Sequence, residues 1–139
     1  VHYEVSNFAR PGYESRHNSR YWTGAPYLGL GPSAHSFLPP TRRWNLRDWM
    51  AYRTAIMDGR LPLAEAEEVT GEAARLERIW LGLRTNTGLP SEGWSAAQER
   101  LAERWVEAGW AERAVTSLTL TAAGWLLLDQ LAVDFEAAA

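Results

Sequence analysis

His17-Asn18-Ser19-Arg20-Tyr21-Trp22 lies between two glycine-bearing apolar segments. His2 to Gly12 precedes it, and Tyr27-Leu28-Gly29-Leu30-Gly31-Pro32-Ser33-Ala34-His35-Ser36 follows. One short stretch thus holds an imidazole, an amide, a guanidinium, a phenol and an indole. Together these groups could ligate a metal, stack on a flat conjugated ring and pair with carboxylates. A haem asks for all three: an axial nitrogen for iron, aromatic faces for the macrocycle, cations for the propionates. The plainer reading is a loop whose Tyr21 and Trp22 pack on the core while His17 makes a local hydrogen bond. From the residues alone the plainer reading is the better one, because a single His beside aromatics is common.

Working outward, residues 2–8 read as a strand ending before Arg10-Pro11-Gly12. Residues 10–26 read as a long polar loop, and 27–38 as a second, buried strand that Pro39-Pro40 ends. Trp44-Asn45-Leu46 suggests a short strand. Asp48 is placed to cap a helix through about Met57, with Asp58-Gly59 closing it and Leu61-Pro62-Leu63 leading away. A boundary is expected near residues 62–70. Thr70 can cap a helix over 71–84, where Leu76, Ile79, Trp80 and Leu83 form one stripe. Ser95 with Gln98 reads as a capping box for a helix to about Ala108, its apolar face Ala97, Leu101, Trp105 and Ala108. Residues 110–115 and 117–120 suggest a hairpin. Thr121 then caps a last helix with Trp125, Leu128, Leu131 and Phe135 on one face. Helix, helix, hairpin, helix is the order of a winged-helix-like domain.

Composition narrows the classes. The 139 residues include no cysteine, so neither a disulfide nor a thiolate-held metal can form within them. The longest apolar run, Trp125 to Leu128, is far too short to span a bilayer, so no stable membrane insertion is expected. No signal-peptide pattern opens the chain, and a cytoplasmic location is the default. It starts at Val1 without an initiator Met, which reads as a piece of a longer polypeptide. Residues 1–60 hold eight Arg against four acids, and residues 61–139 six Arg against thirteen. A basic first half suits an anionic ligand, and an acidic second half argues against a nucleic-acid surface. The helix from 95 to 108 carries Glu99, Arg100, Glu103, Arg104 and Glu107, which would repel DNA.

Gly29-Leu30-Gly31-Pro32-Ser33-Ala34 fits G-x-G-x-x-A, the dinucleotide fingerprint. That fingerprint needs a helix N-terminus directly after it, and here Ser36-Phe37-Leu38-Pro39-Pro40 follows instead, so the reading is rejected. His35 sits in an apolar segment, where a lone His is more often a satisfied core residue than a ligand. His2 and Glu4 share a strand face at period two, a pair that reads as structural.

The run YEVSNFARPGYESRHNSRYW (residues 3–22), then YLGLGPSAHSF (27–37), resembles the later part of the oxygen-independent coproporphyrinogen III oxidase-like radical SAM proteins. Within that group the HNxxYW pattern is similar to that of the HemW branch, whose members are described as haem chaperones. The resemblance implies an α/β region followed by a mostly α one. Residues 1–62 would be the last strands of a partial radical SAM (TIM-like) barrel, and 63–139 a HemN-type C-terminal winged-helix-like domain. It further implies a protein that binds haem and passes it to haem-acceptor proteins. His17 would be the axial ligand, with Asn18, Tyr21 and Trp22 completing a haem loop; Arg16 and Arg20 are candidates for the propionates by residue type, and nothing in the family pattern fixes them. Gly29, Gly31, Ala34 and His35 would form a wall of an S-adenosylmethionine cavity, although tight strand packing explains the glycines about as well. The three cysteines of the family's 4Fe-4S cluster would lie upstream. The alternative is the related oxidase, in which a 5′-deoxyadenosyl radical drives oxidative decarboxylation of substrate propionates.

Overall fold

A computed structural model describes residues 1–139. The chain opens with strands β1 (His2–Glu4) and β2 (Asn7–Phe8) and helix α1 (Arg16–Trp22). Strands β3 (His35–Leu38) and β4 (Thr41–Asn45), helix α2 (Trp49–Met57) and strand β5 (Leu63–Glu68) follow. Then come helix α3 (Gly71–Leu83), strand β6 (Leu89–Pro90), helix α4 (Ala96–Glu107) and strands β7 (Ala111–Arg113) and β8 (Ser117–Leu120). Helices α5 (Ala122–Trp125) and α6 (Leu128–Ala137) close the chain. Two compact units result: Val1–Gly24 with Glu72–Ala139, and Ala25–Gly71.

The first unit is built on a core of Ile79 and Leu83 from α3, Ala102 and Trp105 from α4, Leu118 and Leu120 from β8, and Leu128, Leu131, Ala132 and Phe135 from α6. Strands β6, β8 and β7 form one antiparallel sheet in that order. The capping box is present: Ser95 Oγ accepts from the Gln98 amide, and Gln98 Oε1 accepts from the Ser95 amide. Gln98 also turns inward, its Nε2 donating to the Phe135 carbonyl at 3.0 Å. The buried face of α4 is therefore Gln98, Ala102 and Trp105, with Ala108 exposed, a rotation away from the expected stripe. A side-chain amide can sit there because both its ends find partners.

Thr121 does cap a helix, accepting from the Gly124 amide, but the single last helix expected from the sequence is two. The Thr121 hydroxyl also donates to the Gly109 carbonyl, and its amide donates to Trp110 O. These bonds press the first turn against the hairpin: a Cβ on Gly124 would lie 2.0 Å from Trp110 O. The chain then turns at Leu126-Leu127 before α6 carries Leu128, Leu131 and Phe135 into the core.

Residues 2–8 form a tight hairpin rather than one strand, because the Glu4 carboxylate accepts from the Ser6 amide and from Asn7 Nδ2 and bends the chain. The segment 10–26, expected as loop, contains α1. Ser15 caps it, Oγ accepting from the Asn18 amide at 3.2 Å, and Thr23 Oγ1 donates to the Arg20 carbonyl at its other end.

In the second unit, β3, β4 and β5 form an antiparallel sheet in that order. The expected buried strand over 27–38 is a strand only from His35. Before it, Gly31 (φ +101°) and Ser33 (φ +59°) take left-handed conformations that no strand permits. Only Tyr27 pairs, exchanging two backbone hydrogen bonds with Phe37. Strand β4 starts at Thr41, earlier than the expected 44–46. Strand β5 lies within the boundary expected near residues 62–70, with Arg42 opposite Glu67 and an ion pair of 3.2 Å between them. Asp48 caps α2 as expected, accepting from the Ala51 amide at 2.8 Å.

Three substitutions test this packing by urea denaturation. Phe135→Ala removes a side chain that is 1% exposed, and should cost about 3–5 kcal/mol. Gly124→Ala should cost about 1–3 kcal/mol, because the group met is backbone. Leu126→Ala, at a residue 87% exposed, should stay within about 0.5 kcal/mol.

Candidate functional site

The residues singled out by sequence fall into two groups, one in each unit.

His17, Asn18, Tyr21 and Trp22 ride on α1, and the two-turn helix sorts them by face. His17 is exposed, as are Arg16 and Arg20. Tyr21 lies four residues after His17, its hydroxyl 3.0 Å from His17 Nε2 and its ring edge-on to the imidazole at 5.1 Å. Asn18 spends its backbone amide on the Ser15 cap. Trp22 turns the other way. Its indole lies under the Arg84 guanidinium at 4.1 Å, and its Nε1 is buried without a hydrogen-bond partner. The helix thus offers solvent an imidazole and two guanidiniums and keeps the indole as an anchor.

That anchor belongs to a cluster that local spacing along the chain does not signal. Arg84 Nη2 is 2.7 Å from Glu4 Oε2, and the Glu4 side chain is fully buried. The same guanidinium lies over Trp80 at 4.9 Å. Backbone bonds reinforce the junction: Val5 N–H donates to Arg84 O, and Asn86 N–H to Tyr3 O. Tyr3 in turn accepts from the Ser15 amide at 3.4 Å, beside the α1 cap. His2 does not pair with Glu4. Its ring stacks on Phe8 at 4.0 Å and meets Trp125 edge-on at 4.4 Å, and its Nε2 donates to the Val5 carbonyl.

In the second unit, Gly29, Gly31, Ala34 and His35 lie along one irregular segment. Asn45 Nδ2 donates to Gly31 O at 2.9 Å, Gly31 N–H donates to the Tyr52 hydroxyl, and Gly29 N–H donates to Ser36 Oγ. A Cβ on Gly29 would sit 2.2 Å from His35 O, so this glycine serves the packing of the segment on itself. A Cβ on Gly31 would meet open space, and its need is conformational. Ala34 fixes the end of the segment, its carbonyl accepting from the Asn45 amide. His35, expected in a core, is exposed and stacks on Trp44 at 5.5 Å. The segment presents an exposed His35 and the bare backbone of Gly31.

No group of three or more His, Cys, Asp or Glu gathers where a metal ion could be held, and no helix is long and apolar enough to cross a membrane. A 4Fe-4S cluster needs thiolates, and with no cysteine the donor set here does not fit one. The α1 surface does suit a ferric or ferrous porphyrin, since an accessible imidazole stands beside two exposed arginines.

No family model matches the chain. Among solved structures, coproporphyrinogen III oxidase (HemN) from Escherichia coli, a radical SAM enzyme, superposes with a TM-score of 0.60 over 93% of this chain and 35% of that one, at 18% identity. The mixed α/β fold is shared with that part of the oxidase structure. "Heme chaperone HemW" of Mycobacterium tuberculosis is 38% identical over 127 residues, and that of Bacillus subtilis 36% over 103. "Radical S-adenosyl methionine domain-containing protein 1, mitochondrial" of Bos taurus is 36% identical over 113 residues. These matches cover 91%, 74% and 71% of this chain. The chain belongs to the HemW branch of the coproporphyrinogen III oxidase-like radical SAM proteins. It spans about a third of the length of the Mycobacterium tuberculosis relative and about a quarter of the Bacillus subtilis one.

The Glu4–Arg84 pair is open to a direct test. Glu4→Gln leaves a guanidinium only 13% exposed without its counter-charge, and should lower stability by about 3–5 kcal/mol in urea denaturation. A loss under about 1 kcal/mol would show that the pair adds little beyond a surface ion pair.

Proposed function

We propose that the protein carrying this chain binds haem and passes it to haem-requiring acceptor proteins, with α1 as the haem-contacting element. The observation that carries the reading is the exposed imidazole of His17, flanked by Arg16 and Arg20 on a capped helix whose indole is anchored inward. His17 supplies the axial nitrogen, and the two guanidiniums face the propionates. Tyr21 covers the ring edge and Asn18 secures the first turn. Trp22 contributes from beneath, by holding the helix end to Arg84. The names of the relatives support the same cargo, since several are called haem chaperones. Haem here is cargo, and the acceptor is a second protein.

Gly29, Gly31, Ala34 and His35 are the proposed contribution to an S-adenosylmethionine cavity in the longer protein, through backbone and through the exposed His35 ring. The 4Fe-4S cluster and any radical chemistry belong to cysteine-bearing sequence outside these residues. The division expected from the sequence, barrel strands over 1–62 and a winged-helix-like domain over 63–139, enters this proposal as a reading of ancestry rather than of packing. In support of the second part, α3, α4, the β7–β8 hairpin and the closing helices follow in winged-helix order. The acidic face of α4, where Glu99 holds Arg113 at 2.7 Å, suits a docking role better than nucleic acid. A cytoplasmic location belongs to the same proposal, although the Bos taurus relative is named as mitochondrial.

Haemin titration of the full-length protein, followed by Soret absorbance, tests the reading. His17→Ala should weaken binding at least about tenfold, which corresponds to about 1.4 kcal/mol, and shift the Soret band. Unchanged affinity and an unchanged band would remove His17 from the site.

A further inference from the structure

The proposed haem ligand is already engaged. His17 Nε2 and the Tyr21 hydroxyl share a hydrogen bond of 3.0 Å, and the two rings meet edge to face at 87°. Both residues lie on α1 one turn apart, so the contact is built into the helix rather than into a mobile loop. Which atom carries the hydrogen does not alter the consequence. If the hydroxyl donates, the Nε2 lone pair is directed at it. If Nε2–H donates, that nitrogen has no lone pair to offer. An axial ligand needs that lone pair free.

We infer that Tyr21 is a positioning residue that holds His17 Nε2 in the haem-free protein and competes with iron for it. The inference rests on the haem-site reading above and says how that site is regulated. On loading with the hydroxyl as donor, the Nε2···Oη hydrogen bond breaks, the nitrogen lone pair passes to iron, and the phenol hydrogen turns to water. Nδ1 keeps the imidazole proton, so no proton is gained or lost. With Nε2 as donor, its proton moves to Nδ1 through solvent before the same exchange. On unloading, the phenol takes the nitrogen back. A ligand with a competitor four residues away holds its cargo less tightly and releases it sooner, which suits transfer rather than storage. The same hydroxyl that masks the ligand also orients the imidazole toward the open face of α1. A hydrogen bond between exposed neutral groups is modest, so its removal should change affinity by about three- to tenfold.

The variant that isolates this effect is Tyr21→Phe, which keeps the ring and its contact with the imidazole and deletes only the hydroxyl. Two measurements on the full-length protein apply. In haem-free protein, carbethoxylation by diethyl pyrocarbonate, mapped by peptide mass, should be several-fold faster at His17, with His35 of the same chain as the internal reference. With haemin, binding should tighten by about three- to tenfold and release to apomyoglobin should slow in proportion, at an unchanged Soret position. An unchanged carbethoxylation rate at His17 overturns the pairing. Faster carbethoxylation with equal or weaker haemin binding overturns the competition. Haemin binding that survives His17→Ala overturns the haem-site reading instead, and the carbethoxylation rate still decides whether Tyr21 masks the imidazole.

Discussion

The Arg84 guanidinium is the point at which three separate stretches of chain meet. It projects just past the end of α3, takes its counter-charge from Glu4 in the first hairpin, and carries the indole of Trp22 from the end of α1. Each partner alone would be a poor host for a buried cation. The carboxylate offsets the charge, the two indole faces of Trp22 and Trp80 supply polarizable surface, and the low exposure strengthens both interactions. Arginine fits this place because its flat, weakly hydrated guanidinium can stack and form an ion pair at once, which a lysine ammonium cannot do equally well. The α1 helix is too short to be stable on its own propensity. Its face toward solvent exists because its other face is held.

What could be read from the sequence was the chemistry that acts over a few residues. Asp48, Ser95 with Gln98, and Thr121 all cap the helices their positions promised, since a cap is a contact between neighbours three residues apart. The β7–β8 hairpin was legible for the same reason. Helix α1 was missed although it has such a signal in Ser15 with Asn18, because seven residues with none buried leave no apolar stripe to detect. Strand β5, Leu-Ala-Glu-Ala-Glu-Glu, has no β-branched residue. Its register on β4 shows only in the pairing itself, where Glu67 comes opposite Arg42.

The candidate site divides in the same way. His17, Tyr21 and the flanking arginines were legible as residue types, and the helix brings them to one surface. Trp22 was assigned to that surface too and lies on the opposite one, because its partner is 62 positions further along the chain. Glu4 was paired on paper with His2 by strand periodicity, whereas a turn at Ser6 sends its carboxylate to Arg84. Gly29 and Gly31 looked alike in sequence and differ in space, one shaped by a carbonyl beside it and the other by its own backbone angle. Local spacing could not separate these cases, since what distinguishes them is a distant residue or a dihedral.

The clamp on Glu4 also sets a schedule. The hairpin that holds Glu4 is synthesised 80 residues ahead of the guanidinium it needs. At about 5–20 residues per second, that hairpin waits about 4–16 s with a carboxylate whose arginine partner is not yet made. Its own turn, closed by Ser6 and Asn7 on the Glu4 carboxylate, keeps it folded back on itself during the interval. Chain closure between the two ends of the unit is therefore a late event in biosynthesis, and α1 gains its anchor only when that closure is made.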